Sequence, residues 1–280
     1  MKDNTDHGFD FLEAVIFDWA GTTVDFGCHG PVQAFVDTFA AFGVVVSNAE
    51  ARAPMGMGKR DHVAAMCSVP RIGEAWRNVY GVPPTEPDIY RMYAYVESVM
   101  TETIHRYSTP IAGVVEAVRQ LRDLGLRIGS CTGYPSSVAA VLAEGARRNG
   151  FVPDTVVCAS DVAHGRPAPD MCLEAMRRLN VSDPARSVKI GDTVNDVLEG
   201  TRAGMWTIGI TLSGSMAGLT EGELAALSEA EKWKLHERIS DELTEAGAHF
   251  TAQNLPTCVE TLHLIDKLCL KNFKPESGSQ

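Results

Sequence analysis

Four short segments concentrate the side chains best suited to chemistry: Asp18-Trp19-Ala20-Gly21-Thr22-Thr23, Ser130-Cys131-Thr132-Gly133, Gly165-Arg166-Pro167-Ala168-Pro169 and Gly191-Asp192-Thr193-Val194-Asn195-Asp196. A carboxylate such as Asp18 can attack phosphorus and form an aspartyl phosphate, splitting one hard displacement into two easier ones. The hydroxyl of Thr132 and backbone N–H groups at a helix start can hold phosphoryl oxygens. Arg166 can neutralise charge on the nucleophile and on the transferring group. Magnesium prefers hard oxygen ligands, and Asp18 and Asp192 offer it carboxylates. Asp196 suits a place behind them, orienting the metal's ligands. Helix capping would explain Asp18 or Asp192 taken singly, but not the whole set.

Such segments need a scaffold that brings several chain turns to one place. Ala14-Val15-Ile16-Phe17 is an apolar run that stops at Asp18 and a glycine turn, the pattern of a buried strand with functional groups at its carboxyl end. Similar runs recur at Leu126–Ser130, Thr155–Ser160, Val188–Gly191 and Met205–Thr211. Between them apolar residues return at helical spacing: Val114, Val118 and Leu121; Val138, Val141 and Leu142; Met171, Ala175 and Leu179. Alternating strands and helices predict an α/β fold, a parallel sheet covered on both faces. Ligands of such sheets sit outside the carboxyl ends of the strands, where Asp18, Thr132 and Asp192 fall.

From about Gly27 to Tyr107 the alternation stops. Val32, Phe35, Val36, Phe39 and Phe42 form one apolar stripe, and Ile89, Tyr93, Val96, Val99 and Met100 another. The expectation is an all-helical domain, residues 27–107, inserted into a discontinuous core made of 1–26 and 108–280. The stretch from Gly218 to Leu270 reads as mostly amphipathic helix with solvated charged faces.

With 280 residues, 45% of them hydrophobic and 22% charged, the chain has room for a core and a smaller second domain. A net charge of −11 without a basic run argues against nucleic acid as a partner. It also repels anionic substrates, so a phosphoryl group needs local cations or a metal. Apolar runs such as Phe42 to Val46 are too short to span a bilayer, and the polar, acidic MKDNTDHGFDF does not resemble a secretory signal. Seven scattered cysteines form neither a disulfide framework nor a zinc pattern. The reading is a reduced, cytoplasmic protein with no membrane partner.

In order and type the four segments resemble the motifs of the haloacid dehalogenase superfamily, a match that spans the core. The resemblance implies a Rossmann-like core with an inserted cap, and magnesium held by Asp18, Asp192 and the Ala20 carbonyl. Superfamily phosphatases carry a second aspartate two residues after the nucleophile, to protonate a leaving alcohol; here that residue is Ala20. A carbon leaving group has no alkoxide to protonate, provided that something else stabilises the carbanion. A phosphate-storing protein would also tolerate Ala20.

Arg52-Ala53-Pro54-Met55-Gly56-Met57-Gly58-Lys59-Arg60-Asp61-His62 is similar to the lysine segment of the phosphonoacetaldehyde hydrolase family, as are residues 18–22 and Thr132-Gly133-Tyr134. That resemblance implies a Lys59 that condenses with the substrate aldehyde, Met55 at the substrate, a proton-shuttling His62 and a homodimer formed through the cap. An iminium at the carbonyl carbon would accept the electrons of a breaking C–P bond. Lys59 must be neutral to form it, which burial or nearby cations favour. His62 shares a helix face with Lys59 if the stretch is helical, although a structural position is equally open to it. Cys28 and Tyr134 are candidates for the substrate pocket; the alternatives are a buried inert thiol and a packing residue.

Gly56 and Gly58 predict a loop or hinge before the helix. A nucleotide-binding loop at Gly58-Lys59 is excluded, because position 53 is alanine and Arg60 stands where Ser or Thr is needed. Two rivals remain. A phosphate monoester hydrolase or mutase of the same superfamily wants aspartate at position 20 and no lysine at 59. A phospho-aspartate signalling module needs no inserted domain.

Overall fold

The computed structural model describes residues 8–275. β1 (Ala14–Phe17) is buried at every position, as a strand covered on both faces must be. The chain then runs through α1 (His29–Ala41), α2 (Asn48–Arg52), α3 (Lys59–Ser68), α4 (Pro70–Tyr80) and α5 (Glu86–Thr103), with no strand between β1 and residue 107. Ser47 with Glu50, and Thr85 with Asp88, form capping boxes that start α2 and α5 by satisfying first-turn N–H groups. The alternation resumes with α6 (Val114–Asp123), β2 (Arg127–Thr132), α7 (Ser136–Arg148), β3 (Thr155–Cys158), α8 (Asp170–Leu179), β4 (Ser187–Gly191), α9 (Val194–Arg202) and β5 (Trp206–Ile210). It closes with α10 (Glu221–Ala226), α11 (Glu229–Glu245), β6 (Phe250–Ala252) and α12 (Cys258–Leu270).

The sheet is parallel throughout, in the order β3-β2-β1-β4-β5-β6. Side chains alternate across it. Val15 and Phe17 of β1 join the cluster that holds Val114, Val118 and Leu121 of α6, Val138 and Leu142 of α7, and Leu262 and Ile265 of α12. Ala14 and Ile16 face the other way, onto Met171, Ala175 and Leu179 of α8. In the helical segment, Val32, Phe35 and Phe39 of α1 share a cluster with Ile89, Met92, Val96 and Met100 of α5. Met92 takes the fully buried place that the sequence stripe gave to Tyr93.

Two strand ends shift by two residues and one strand is added relative to the sequence reading. β2 runs on to Thr132, because Ser130, Cys131 and Thr132 pair with β3 despite their polarity. β3 stops at Cys158, where Asp161 folds back to accept from the Cys158 N–H. β6 interrupts the helical tail. It is three residues long, too short to show a period, and exists by pairing with the edge of β5.

Register sets the site. Phe17 is level with Ser130 on one side and Ile190 on the other. Asp18, Thr132 and Asp192 therefore emerge together at the carboxyl edge, where the order turns from β2 on one side of β1 to β4 on the other. The two connections to the helical segment run side by side over this edge. Val24 bridges to Pro110, and the Ile111 N–H donates to the Thr23 carbonyl at 2.9 Å.

Candidate active site

A narrow cleft lies between the carboxyl edge of the sheet and the turn before α3. Its walls include Asp18, Ala20, Cys28, Met55 and Lys59, then Thr132, Gly133, Tyr134, Arg166 and Asp192. Residues more than a hundred positions apart thus meet in one place. Asp196 and His62 lie behind the wall.

Arg166 organises the acidic side. Its Nε donates to Glu199 Oε2 at 2.8 Å and its Nη2 to the Cys131 carbonyl at 3.0 Å. These two bonds fix the plane of the guanidinium and leave Nη1 against Asp18 Oδ1 at 2.7 Å and Asp196 Oδ1 at 2.9 Å. Lys189, from the middle of β4, places Nζ 3.0 Å from Glu199 Oε2 and 3.2 Å from Asp196 Oδ1. Burial alone would raise Asp196, but Arg166 and Lys189 outweigh it and hold the carboxyl below the usual range. For Asp18 burial and the Asp196 charge prevail, and its pKa is raised. Asp192 accepts from the Ser215 N–H at 2.6 Å, yet burial, with Asp18 next, pushes it up to about 7.

This donor set fits a divalent cation. Oxygens of Asp18, Asp192 and Asp196 lie within 4.8 Å of one another. Asp18, Asp192, Asp196 and Glu199 are all buried, while among the described residues only Arg166 and Lys189 stand beside them as firm cations. Burial first, and then the neighbouring carboxylates, raise Asp18 and Asp192, and a hard doubly charged ion would offset that excess of negative charge.

Lys59 faces the acidic wall from the first turn of α3. Its Nζ lies 4.6 Å from the Tyr134 ring centroid and 5.8 Å from that of Phe35. Burial lowers its pKa to about 8, against the opposing pull of Asp18 and Asp192. His62, one turn on, stacks on Phe35 with centroids 3.8 Å apart, and its Nε2 meets the Ala51 carbonyl at 2.9 Å. Nε2 must therefore carry the proton. Burial and the Lys59 charge depress its pKa well below 6.5, and Nδ1 has no partner among the described residues.

Cys28 Sγ is 3.7 Å from Asp192 Oδ2. Burial and the carboxylates push the thiol far up, so it stays protonated rather than acting as a nucleophile. The Tyr134 N–H donates to Thr132 Oγ1 at 3.2 Å, while its buried hydroxyl has no partner among the described residues. Gly133 is tied to close approach: a Cβ there would lie 2.8 Å from the Met57 carbonyl.

Sequence reasoning did not single out Lys189, Glu199, Ser215 or Asn195. Lys189 had a readable signal, a cation in the middle of a buried strand that requires a buried counter-charge. Glu199 follows Asp196 by three residues and so shares its helix face. Ser215 acts through its backbone, which leaves no mark in side-chain chemistry.

A model of haloacid dehalogenase-like hydrolases matches residues 12–204, from the residues just before β1 to those just before β5. The chain is 46% identical over 264 residues to a phosphonoacetaldehyde hydrolase-like protein of Syntrophobacter fumaroxidans, covering 94% of this chain and 95% of that one. It is 42% identical over 256 residues to a phosphonoacetaldehyde hydrolase of Bacillus cytotoxicus, covering 91% and 97%. The crystal structure of a phosphonoacetaldehyde hydrolase-like protein from Oleispira antarctica superposes with a TM-score of 0.93 at 35% identity, over 98% of this chain and 99% of that one. Fold and site thus define a haloacid dehalogenase-like hydrolase. Within that class, the chain belongs to the phosphonoacetaldehyde hydrolase family.

Proposed function

We propose that this protein hydrolyses the C–P bond of phosphonoacetaldehyde, giving acetaldehyde and phosphate. The observation that carries the mechanism is the opposition across one cleft of a buried, easily deprotonated lysine and a carboxylate nucleophile, with alanine where an acid for an alcohol would stand.

Neutral Lys59 Nζ adds to the aldehyde carbon and, with loss of water, forms an iminium. The Asp18 carboxylate attacks phosphorus. As the new O–P bond forms, the C–P bond breaks and its electron pair moves into the iminium, leaving an enamine. Protonation of the enamine at carbon, then hydrolysis, releases acetaldehyde and frees Lys59. A second water hydrolyses the aspartyl phosphate. The condensation water is returned when the imine is hydrolysed, so one water is consumed overall.

Arg166 and Thr132 would hold the phosphoryl oxygens, with Gly133 letting the backbone come close. Asp18, Asp192 and the Ala20 carbonyl, with Asp196 behind them, would hold a magnesium ion, which would supply charge neutralisation between nucleophile and phosphoryl group. Met55, Tyr134 and Cys28 would shape the aldehyde end of the cleft. A proton relay through His62 would use Nδ1, the ring nitrogen that the Ala51 bond leaves free.

Residues 27–107 would act as a cap that closes the cleft. Val79, Tyr80, Val82, Tyr90 and Tyr95 are exposed on that segment, which supports a homodimer formed through it. Among the described residues no helix is long and apolar enough to cross a membrane, and all seven cysteines are free and buried. The cysteines support a reducing, cytoplasmic setting.

The test is incubation with phosphonoacetaldehyde and magnesium, compared with p-nitrophenyl phosphate. Acetaldehyde and phosphate should appear in equal amounts from the phosphonate. A clear preference for the ester would move the assignment to a phosphatase.

A further inference from the structure

The segment that delivers Lys59 rests on the same residues that hold the acidic cluster in place. Asn195 Nδ2 donates to the Met55 carbonyl at 2.8 Å, and Asn195 lies between Thr193 and Asp196 at the start of α9. Gly56, with φ 88°, is pressed against Thr193: a Cβ there would lie 2.3 Å from Thr193 Oγ1. That same Oγ1 donates to Asp196 Oδ2 at 2.5 Å. On the other side, the Arg52 guanidinium reaches the Ser215 and Gly218 carbonyls at 3.4 Å each, and the Ser215 N–H is the donor to Asp192. Each of Asp192 and Asp196 is thus one residue removed from the backbone that leads into Lys59.

From this arrangement we infer that Asn195 is a positioning residue that couples docking of the 52–58 segment, and so the placement of Lys59, to occupancy of the Asp192–Asp196 carboxylates by a divalent cation. The inference rests on the metal reading proposed above. An occupied cluster fixes the Thr193–Asp196 turn and holds the Asn195 amide toward Met55. Arg166, Lys189 and the Thr193 capping box already hold Asp196, so the cation would act as a further tether on the turn, and its loss would weaken the docking bond without abolishing it. Coupling of this kind is reciprocal: docking must favour the cation by the same factor as the cation favours docking. The chemical consequence is order, with the lysine in place when the phosphoryl-binding side is complete.

The experiment is amide hydrogen exchange of peptides covering residues 52–58 in the full-length protein, with and without magnesium, in the wild type, Asn195→Ala and Arg52→Gln. Calorimetric magnesium titrations of all three run in parallel. In the wild type, magnesium should slow exchange of 52–58 by at least about five-fold, with little change in the peptides of β2 and β5. In Asn195→Ala that protection should vanish and the magnesium Kd should rise by a similar factor. Arg52→Gln should lose part of each, which keeps the test decisive should the alanine variant be unstable. Equal protection in wild type and Asn195→Ala would overturn the inference, as would magnesium that binds the wild type without protecting 52–58. If magnesium does not bind the wild type at all, the metal reading fails first and this inference with it.

Discussion

An exposed lysine is a cation, whereas the role proposed for Lys59 requires a free amine, and its surroundings decide between the two. Burial beside two aromatic rings sets its pKa near 8 instead of 10.5. At pH 7 roughly one molecule in ten then carries the free amine, against roughly one in three thousand for an unperturbed lysine. Imine formation should therefore climb with pH and level off just above 8, measured as the initial rate of reductive trapping with acetaldehyde. The same shift has a stability counterpart. A lysine whose folded pKa lies below its unfolded one weakens the fold below about pH 8, and the penalty fades as pH rises from 8 to 10.5. Lys59→Met should thus be inactive yet up to about 3 kcal/mol more stable at pH 7 in urea unfolding, with the gap closing by pH 10.5. Asp18→Asn should retain the fold and lose about 10³-fold or more in turnover, since an amide is a far poorer nucleophile.

The helices and strands around the site act chiefly through the buried charge network that β4 and α9 share. Glu199 fixes the Arg166 plane from α9, and Lys189 offsets it from β4. Removing one partner leaves a charge stranded in the interior, which costs about 3–5 kcal/mol. Lys189→Met should therefore lower the unfolding free energy by that order, and Lys189→Met with Glu199→Gln should recover part of it while turnover stays low. Equal stability of the single and double variants would remove the network from the account. This network was also the hardest part of the site to read in advance. The four motif segments named Asp18, Thr132, Arg166 and Asp192, because each sits beside a glycine or at the end of an apolar run. Glu199 looks like any helical glutamate until α9 is packed on the sheet, and Lys189 is masked by the apolar residues around it. β6 escaped for a related reason: three residues supply no period, and only the free edge of β5 makes them a strand.

For the molecule as a whole, charge is the dominant constraint. A chain of net charge −11 gathers four buried carboxylates at the place proposed to bind an anionic phosphonate. In the proposed reading a magnesium ion would reconcile the two, so its addition should stabilise the fold as well as permit turnover. Its addition should raise the thermal midpoint of the wild type, and chelation should abolish activity with the far-UV spectrum unchanged. Asp192→Ala should be inactive and show no such rise. Full activity in a chelated preparation would refute the metal assignment. The arrangement of layers was legible as alternation of strand and helix patterns, whereas the register that brings Asp18 level with Thr132 and Asp192 came only from the paired strands.

The proposed imine at Lys59 would separate C–P cleavage from ordinary phosphate transfer, and borohydride tests for it directly. Wild-type protein treated with borohydride in the presence of phosphonoacetaldehyde or acetaldehyde should lose activity and gain the mass of a reduced two-carbon adduct. That mass should map to the peptide containing Lys59. Lys59→Arg, which keeps the charge but cannot form the imine, should be unlabelled and as inactive as Lys59→Ala. An adduct at another residue, or an arginine variant that keeps most of the activity, would contradict the account.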